Sequence, residues 1–299
     1  SDGTNTITVS GTPDSAIVTA ECHTDDGVPV NVTTGIAITG ITSNSTNYRK
    51  VTVVSGERHD GTPGSGFRMS SSTAGVTTLF QIATQTYLIV EWLEITLKGS
   101  STGNRWCINF PSAGLTTLLV SKCILTCTNG GSGTGIGFGC TSTSGTATFM
   151  DSITYGCKTR GVGTLGTSGT RNIVNVSCYG DTSGYNDGTG TGNAINCLII
   201  SEGTDYSADS ITTSGSGDTT GTFDNLVAST EWTTTDGTDT DLHLKSGATM
   251  IDDGTDQGTS PPGVQFDIDN RDRDALNDVW DLGADEFVSA VTRRVMMIQ

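Results

Sequence analysis

Asp267-Ile268-Asp269 begins as a calcium-binding loop begins, but Arg271 stands where the third oxygen ligand belongs. That spacing predicts an Arg–carboxylate network pinning the last coil. Gly130-Gly131-Ser132-Gly133-Thr134-Gly135 imitates a calcium-roll repeat once, with Gly135 in place of the ligand Asp, and reads as a turn. His23, His59 and His243 lie far apart and no Cys-x-x-Cys is present, so a zinc site has little support. Polysaccharide cleavage needs carboxylates at fixed spacing, to hold Ca²⁺ or to act as acid and nucleophile. Glu91 and Asp151 occupy matching places in two of the repeats described next, with Ser121 between them, so no carboxylate column is expected. Asp181, Asp187, Glu202 and Asp205 read as solvated loop charges, while Lys122, Lys158, Arg160 and Arg171 are too scattered to supply a base. No catalytic, cofactor-binding or metal-ligating residue is nominated, and no cofactor is expected. Trp92, Trp106, Trp232 and Trp280 could stack on sugars, but isolated tryptophans more often pack under loops.

The elements that would position these groups lie between Leu88 and Ile200. Five segments superimpose, starting at Val90, Val120, Met150, Ile173 and Ala194, and each is apolar at its first, fourth and sixth positions. The clearest are Leu88-Ile89-Val90-x-x-Leu93-x-Ile95 and Leu118-Leu119-Val120-x-x-Cys123-x-Leu125. Alternation by two on each side of a one-residue break means strand, bend, strand, with the apolar side still facing in. A repeat of roughly 20–30 residues is a solenoid period. The connecting stretches are Gly, Ser, Thr, Asn and Asp without a helical pattern, so the predicted fold is all-β, a parallel β-helix (solenoid) of roughly ten coils with terminal caps. The bend positions hold Trp92, Lys122, Ser152, Asn175 and Asn196, suited to bonding the turn backbone and stacking along the solenoid.

Hydrophobic residues make up only 33% of the 299-residue chain and glycines number 40, thin for a layered α/β core but enough for a narrow solenoid column. Fifteen basic against 32 acidic residues give a net charge of −17, which disfavours nucleic acid and anionic lipid as partners. No apolar run approaches the ~20 residues of a membrane span. The chain opens Ser1-Asp2-Gly3-Thr4, without the basic start and apolar core of a signal peptide; either a leader was removed or an initiator Met was trimmed. Of the eight cysteines, Cys123, Cys178 and Cys197 fall on inward repeat positions as small hydrophobes, with Cys107, Cys127, Cys140 and Cys157 less well placed; buried thiols are expected.

The predicted organisation is N-terminal capping strands over 1–40, the parallel β-helix over 41–255, a closing cap over 256–287 and a tail over 288–299. Phe266, Ile268, Trp280 and Leu282 would pack down onto the last coil, with Arg271, Arg273, Asp281, Asp285 and Glu286 satisfying one another outside. Beyond them Arg293, Arg294 and the apolar Val295-Met296-Met297-Ile298 suggest a segment that docks on a partner.

Asn47-Tyr48-Arg49-Lys50 with Gly56-Glu57-Arg58-His59-Asp60-Gly61, then Val90-Glu91-Trp92-Leu93-Glu94-Ile95, and finally Asp241-Leu242-His243-Leu244, Ile251-Asp252-Asp253-Gly254, Asp267-Ile268-Asp269 and Trp280-Asp281-Leu282-Gly283-Ala284-Asp285-Glu286 resemble a group of right-handed parallel β-helix repeat proteins of bacterial, phage and environmental origin. The resemblance brackets residues 45 to 287. It departs at Asp269-Asn270, where that group often has Asp-Gly. It implies surface-displayed or virion-associated proteins and carries over no catalytic residue. The expected function is therefore a non-enzymatic structural protein on a virion surface, such as a phage capsid decoration or fibre-like protein. Its expected partners are virion or cell-surface proteins engaged through the C-terminal tail, with a homotrimer and a glycan as further candidates. The alternative is a secreted or cell-surface polysaccharide lyase, glycosidase or carbohydrate-binding β-helix protein.

Overall fold

The computed structural model describes residues 6–7, 17–24, 28–39, 43–83, 87–111, 117–141, 145–164, 169–188, 190–235, 240–276 and 279–288. It is a parallel β-helix with three faces. Face one is an eight-stranded sheet from Thr6–Ile7 through Thr78–Ile82, Arg105–Phe110 and Gly135–Cys140 to Thr204–Ser207. One strand per coil gives eight coils among the described residues, against the roughly ten expected. Faces two and three are stacked in parallel register and fuse into one 14-stranded sheet, because Thr146–Tyr155 and Thr170–Tyr179 run unbroken through the corner between them. No helix of the described residues is long and apolar enough to cross a membrane.

That corner is the one-residue break seen in the sequence. Trp92, Lys122, Asp151, Asn175, Asn196 and Thr213 all have positive φ, between 43° and 66°. A single left-handed residue turns the chain while leaving its neighbours on both sides facing inward. Tyr87–Glu91 stacks on Thr117–Ser121, and Glu94–Leu97 on Ile124–Cys127. Leu88, Val90, Leu93, Ile95 and Leu97 therefore lie over Leu118, Val120, Cys123, Leu125 and Cys127, all fully buried.

The third copy is shifted by one residue from the expected register. Val120 pairs with Phe149 and Ile124 with Ile153, which puts Asp151, not Ser152, at the bend. Phe149 points inward and stacks on Phe138, centroids 5.1 Å apart, while Met150 and Ile153 belong to separate apolar clusters outside the coil. The bend residues also do not stack mainly on one another, as shown below. The cysteines are all free, seven of them buried and Cys22 partly so. Those that looked misplaced are inside too, with the Cys107 thiol donating to Thr126 O at 3.1 Å.

Parallel pairing begins earlier and ends sooner than the expected 41–255. Val18–Cys22 pairs with Arg49–Val53 and Val30–Asn31 with Arg68–Ser71, so the N-terminal strands form a first coil. The last ladder joins Leu198–Ile200 to Gly215–Ser216. Residues 217–226 fold over that coil, with Gly215 bridged to Phe223 and Leu226 N–H donating to Ser216 O.

The remainder, with an antiparallel hairpin of Trp232–Thr234 and Asp241–Leu244, lies along the flank. Trp232, Leu242, Leu244, Met250, Ile268 and Leu282 cover Ile124, Ile153 and Leu198 on the outside of face three. Val264 and Trp280 cover Leu119, Met150 and Val174 on the outside of face two. The segment expected to close the end is instead a strap astride the corner. The tail proposed for docking lies, after Val288, outside the described residues.

Candidate functional site

The corner column is the rail on which the strap is held. Lys122 Nζ donates to Phe266 O (2.8 Å) and Asp267 O (2.5 Å). Asn175 Nδ2 donates to Val264 O at 3.3 Å and to Asp151 Oδ1 at 2.8 Å. Asn196 forms a two-way pair with Thr255, donating to its carbonyl at 2.6 Å and accepting its N–H at 2.9 Å. Asp151 faces the Arg273 guanidinium at 3.8 Å, and both are fully buried. Arg273 also bonds Glu286 at 2.9 Å and the carbonyls of Gly283, Ala284 and Asp285. Burial raises the Asp151 carboxyl to about 7 against the pull of Lys122 and Arg273. His59 sits under this rail. Burial lowers it to about 4, so the ring is neutral, with Nε2–H donating to Lys122 O (2.8 Å) and Nδ1 accepting from Gly61 N–H (3.2 Å).

At the outer edge, His243, Asp269 and Asp285 place one potential metal-ligand atom each within 4.8 Å of the others. The surrounding charges answer what fills that space. His243 Nε2 is 2.9 Å from Asp269, and Nδ1 is bonded to Asp241. Burial lowers the His243 pKa, but these two carboxylates outweigh it and hold it at about 11. Arg271 binds Asp269 and approaches Asp285 (3.4 Å) and Asp267 (3.7 Å). The Asp267-x-Asp269 motif is thus a charge-paired clamp, as its Arg271 predicted, but it fastens the strap rather than the last coil.

The carboxylates considered from sequence are dispersed. Glu91 pairs with Lys50 at 2.6 Å and accepts from Thr52 Oγ1. Asp181, Asp187 and Asp205 are buried rather than solvated. Asp181 accepts the Cys157 N–H (2.5 Å) and the Thr154 hydroxyl (3.2 Å), and burial pushes it up to about 8. Asp205 accepts backbone N–H groups from Ser201, Gly217 and Asp218. These two side chains hold turns of adjacent coils together. Lys158 is bonded to Gly131 O, and Arg171 to Gly169 O.

What sequence reasoning missed is a trough on the outer side of face three. The strap covers the half of this face nearest the corner and leans on the partly buried Tyr155, Tyr179 and Ile200 beyond it. The other half carries the aligned positions Ser70, Thr96 and Thr126, then Tyr155, Tyr179 and Ile200. Two cavities of about 400 and 520 Å³ share Thr96, Lys98 and Tyr155 and so form one channel. Arg68 and Glu94 line its first half; Thr128, Tyr179 and Glu202 line the second, against Thr235 and Thr240 of the hairpin. Glu94 accepts Gly64 N–H at 2.8 Å; burial raises its carboxyl to about 7, moderated by that bond and by Arg68. The Tyr179 ring is fixed edge-on by Trp232, centroids 5.7 Å apart.

Family models, curated proteins and solved structures offer no match to this chain. Function has to be read from the trough itself. Each half contains a single carboxylate, Glu94 and Glu202 respectively, among the described residues. Glu94 opens its strand and Glu202 lies in the turn after Leu198–Ile200; their coils are four rung steps apart, from Glu94 through Ile124, Ile153 and Ser177 to Leu198. At about 4.8 Å per rung they stand about 19 Å apart along the axis. Glycosidase carboxylates operate about 5–9.5 Å apart. The signal available in sequence was the Tyr155–Tyr179 alignment, hidden by the one-residue shift in the third copy.

Proposed function

We propose that the protein is a non-enzymatic structural β-helix displayed on a surface, as a phage virion component of the decoration or fibre type, with the C-terminal tail as its docking segment. The observation that carries the non-enzymatic part is the separation of Glu94 from Glu202, too great for concerted acid–base or nucleophilic work on one glycosidic bond. Supporting it, Asp151, Asp181, Asp205, Asp285 and Glu286 are consumed in holding coils and strap together. Display is supported by the strongly acidic chain and the resemblance of its terminal motifs.

Incubation with a panel of neutral and acidic polysaccharides, with and without Ca²⁺, should release no reducing or unsaturated ends. Release abolished by Glu94→Gln would establish the lyase or glycosidase alternative. Antibodies to the folded domain should label the exterior of intact particles from the source culture. Label found only in the culture fluid would support a secreted protein. The trough also favours a second reading, carbohydrate binding, because it offers aromatic faces and hydroxyls without a catalytic pair.

A further inference from the structure

We infer that the trough on face three binds a linear acidic polysaccharide lying along the solenoid axis, with sugar faces on Tyr155 and Tyr179 and a sugar carboxylate at Lys98. The inference rests on the display reading, for which it supplies the ligand.

The geometry selects a chain rather than a compact molecule. Trough-facing positions repeat once per coil, so from Ser70 to Tyr179 they span about 19 Å at about 4.8 Å per rung. The half-buried tyrosines sit on adjacent coils in direct register, Tyr155 opposite Tyr179. Packed on the strap side against the cluster around Trp232, their rings leave partly exposed apolar surfaces in succession along one line, each with a polar edge. Hydroxyls of Ser70, Thr96 and Thr128 border them, donors and acceptors suited to an array of sugar hydroxyls, while the buried Thr126 is bonded to Tyr155. A peptide strand would seek an open sheet edge for its backbone, but the trough runs across strands already paired on both sides.

Charge distinguishes among glycans. In a chain of net charge −17, this trough carries Arg68 in its first half and Lys98 at its middle. Lys98 is exposed, and its ammonium has no carboxylate partner among the described residues. Glu94, buried beside Arg68, is partly protonated near neutrality, which weakens its opposition to an anionic chain. Glu202 stands at the far end, about 19 Å along the axis from Glu94. The centre of the trough is therefore its cationic point.

Affinity electrophoresis and calorimetry with polygalacturonate or alginate, beside dextran of matched length, test the proposal on the intact chain. The uronate polymers should bind without being shortened, and dextran should bind at least about tenfold more weakly, the equivalent of one good charged contact. Lys98→Gln, at an exposed position, should cut uronate affinity about tenfold, reduce its salt dependence and leave dextran binding unchanged. Tyr155→Ala should weaken both classes about tenfold, while Tyr155→Phe, which keeps the ring, should retain most affinity. Equal binding of dextran and uronates, or insensitivity to both Lys98→Gln and Tyr155→Ala, would overturn it. Binding accompanied by depolymerisation would instead refute the non-enzymatic reading while sparing the trough.

Discussion

Replacing Arg273 by Met tests whether the strap is held by charge. The side chain is fully buried and bonds Glu286 (2.9 Å) and the carbonyls of Ala284 (3.0 Å) and Gly283 (3.2 Å). It also faces Asp151 at 3.8 Å and lies over the Trp280 ring at 5.6 Å. Met fills much of the volume but leaves Asp151 and Glu286 buried without that cation. Breaking a buried pair from one side costs about 3–5 kcal/mol, a large part of the 5–15 kcal/mol typical of a folded domain. Burial already raises Asp151 to about 7 and Glu286 to about 8 with Arg273 present. Arg273 lowers both, so without it they titrate higher still. At pH 5 both would be neutral, and most of the penalty should disappear; at pH 8.5 it should be largest. Urea unfolding at the two pH values, with hydrogen exchange on residues 250–287, reads this directly. Arg273→Met with Asp151→Asn should recover part of the loss at pH 8.5. A cost below about 1 kcal/mol at pH 8.5, or equal costs at both pH values, would refute the claim that buried charge holds the strap.

Three further outcomes are expected. Ile199→Ala should cost about 2–5 kcal/mol in chemical denaturation, because Ile199 is fully buried and fills the space above Gly184, where a Cβ would meet its Cγ2 at 2.0 Å. Cys123 and Cys197, buried and pushed up to about 12, should resist thiol reagents until the chain is unfolded; rapid native labelling would show the inner register to be wrong. Asp181, raised by burial from 3.8 to about 8, binds its proton more tightly folded than unfolded. Its contribution is therefore complete below about pH 4 and is lost as pH rises toward 8, so Asp181→Asn should flatten the decline in stability across that window, and an unchanged profile would contradict the assignment.

The solenoid was legible because its signal is local: an apolar alternation, a one-residue break and a repeat length. The first two copies could be aligned from Leu88, Val90, Leu93 and Ile95 alone. The third could not, because Met150 and Ile153 are apolar for a different reason: they face the strap outside. Period-two patterning cannot tell an inward strand face from an outward one that a distant segment covers. The same ambiguity hid Asp151 at the corner and turned Tyr155 inward on paper. The ion-pair clamp at Asp267-x-Asp269 was readable from Arg271, but its position was not, since its anchors Lys122 and Asp151 lie more than a hundred residues earlier. The trough depends on coils and hairpin together and had no local signature beyond its two tyrosines.

Strap and trough are linked by the same corner. Left-handed backbone at Trp92, Lys122 and Asp151 is costly for residues other than Gly, about 1–2 kcal/mol each. Glycine would relieve that strain but could not offer an ammonium to Phe266 and Asp267 or a carboxylate to Arg273. The strained side chains anchor a segment whose apolar residues cover Ile124, Ile153 and Leu198 on face three. The hairpin of this segment then stops at the next column outward, where Thr235 and Thr240 form one wall opposite Thr126 and Tyr155. Without the strap, face three would be a broad apolar surface with no groove and a tendency to associate. With it, the apolar half is sealed and the polar, aromatic half becomes a channel. The corner ladder thus positions one wall of the trough through residues held in left-handed backbone, among which Lys122, Asp151, Asn175 and Asn196 bond the strap directly.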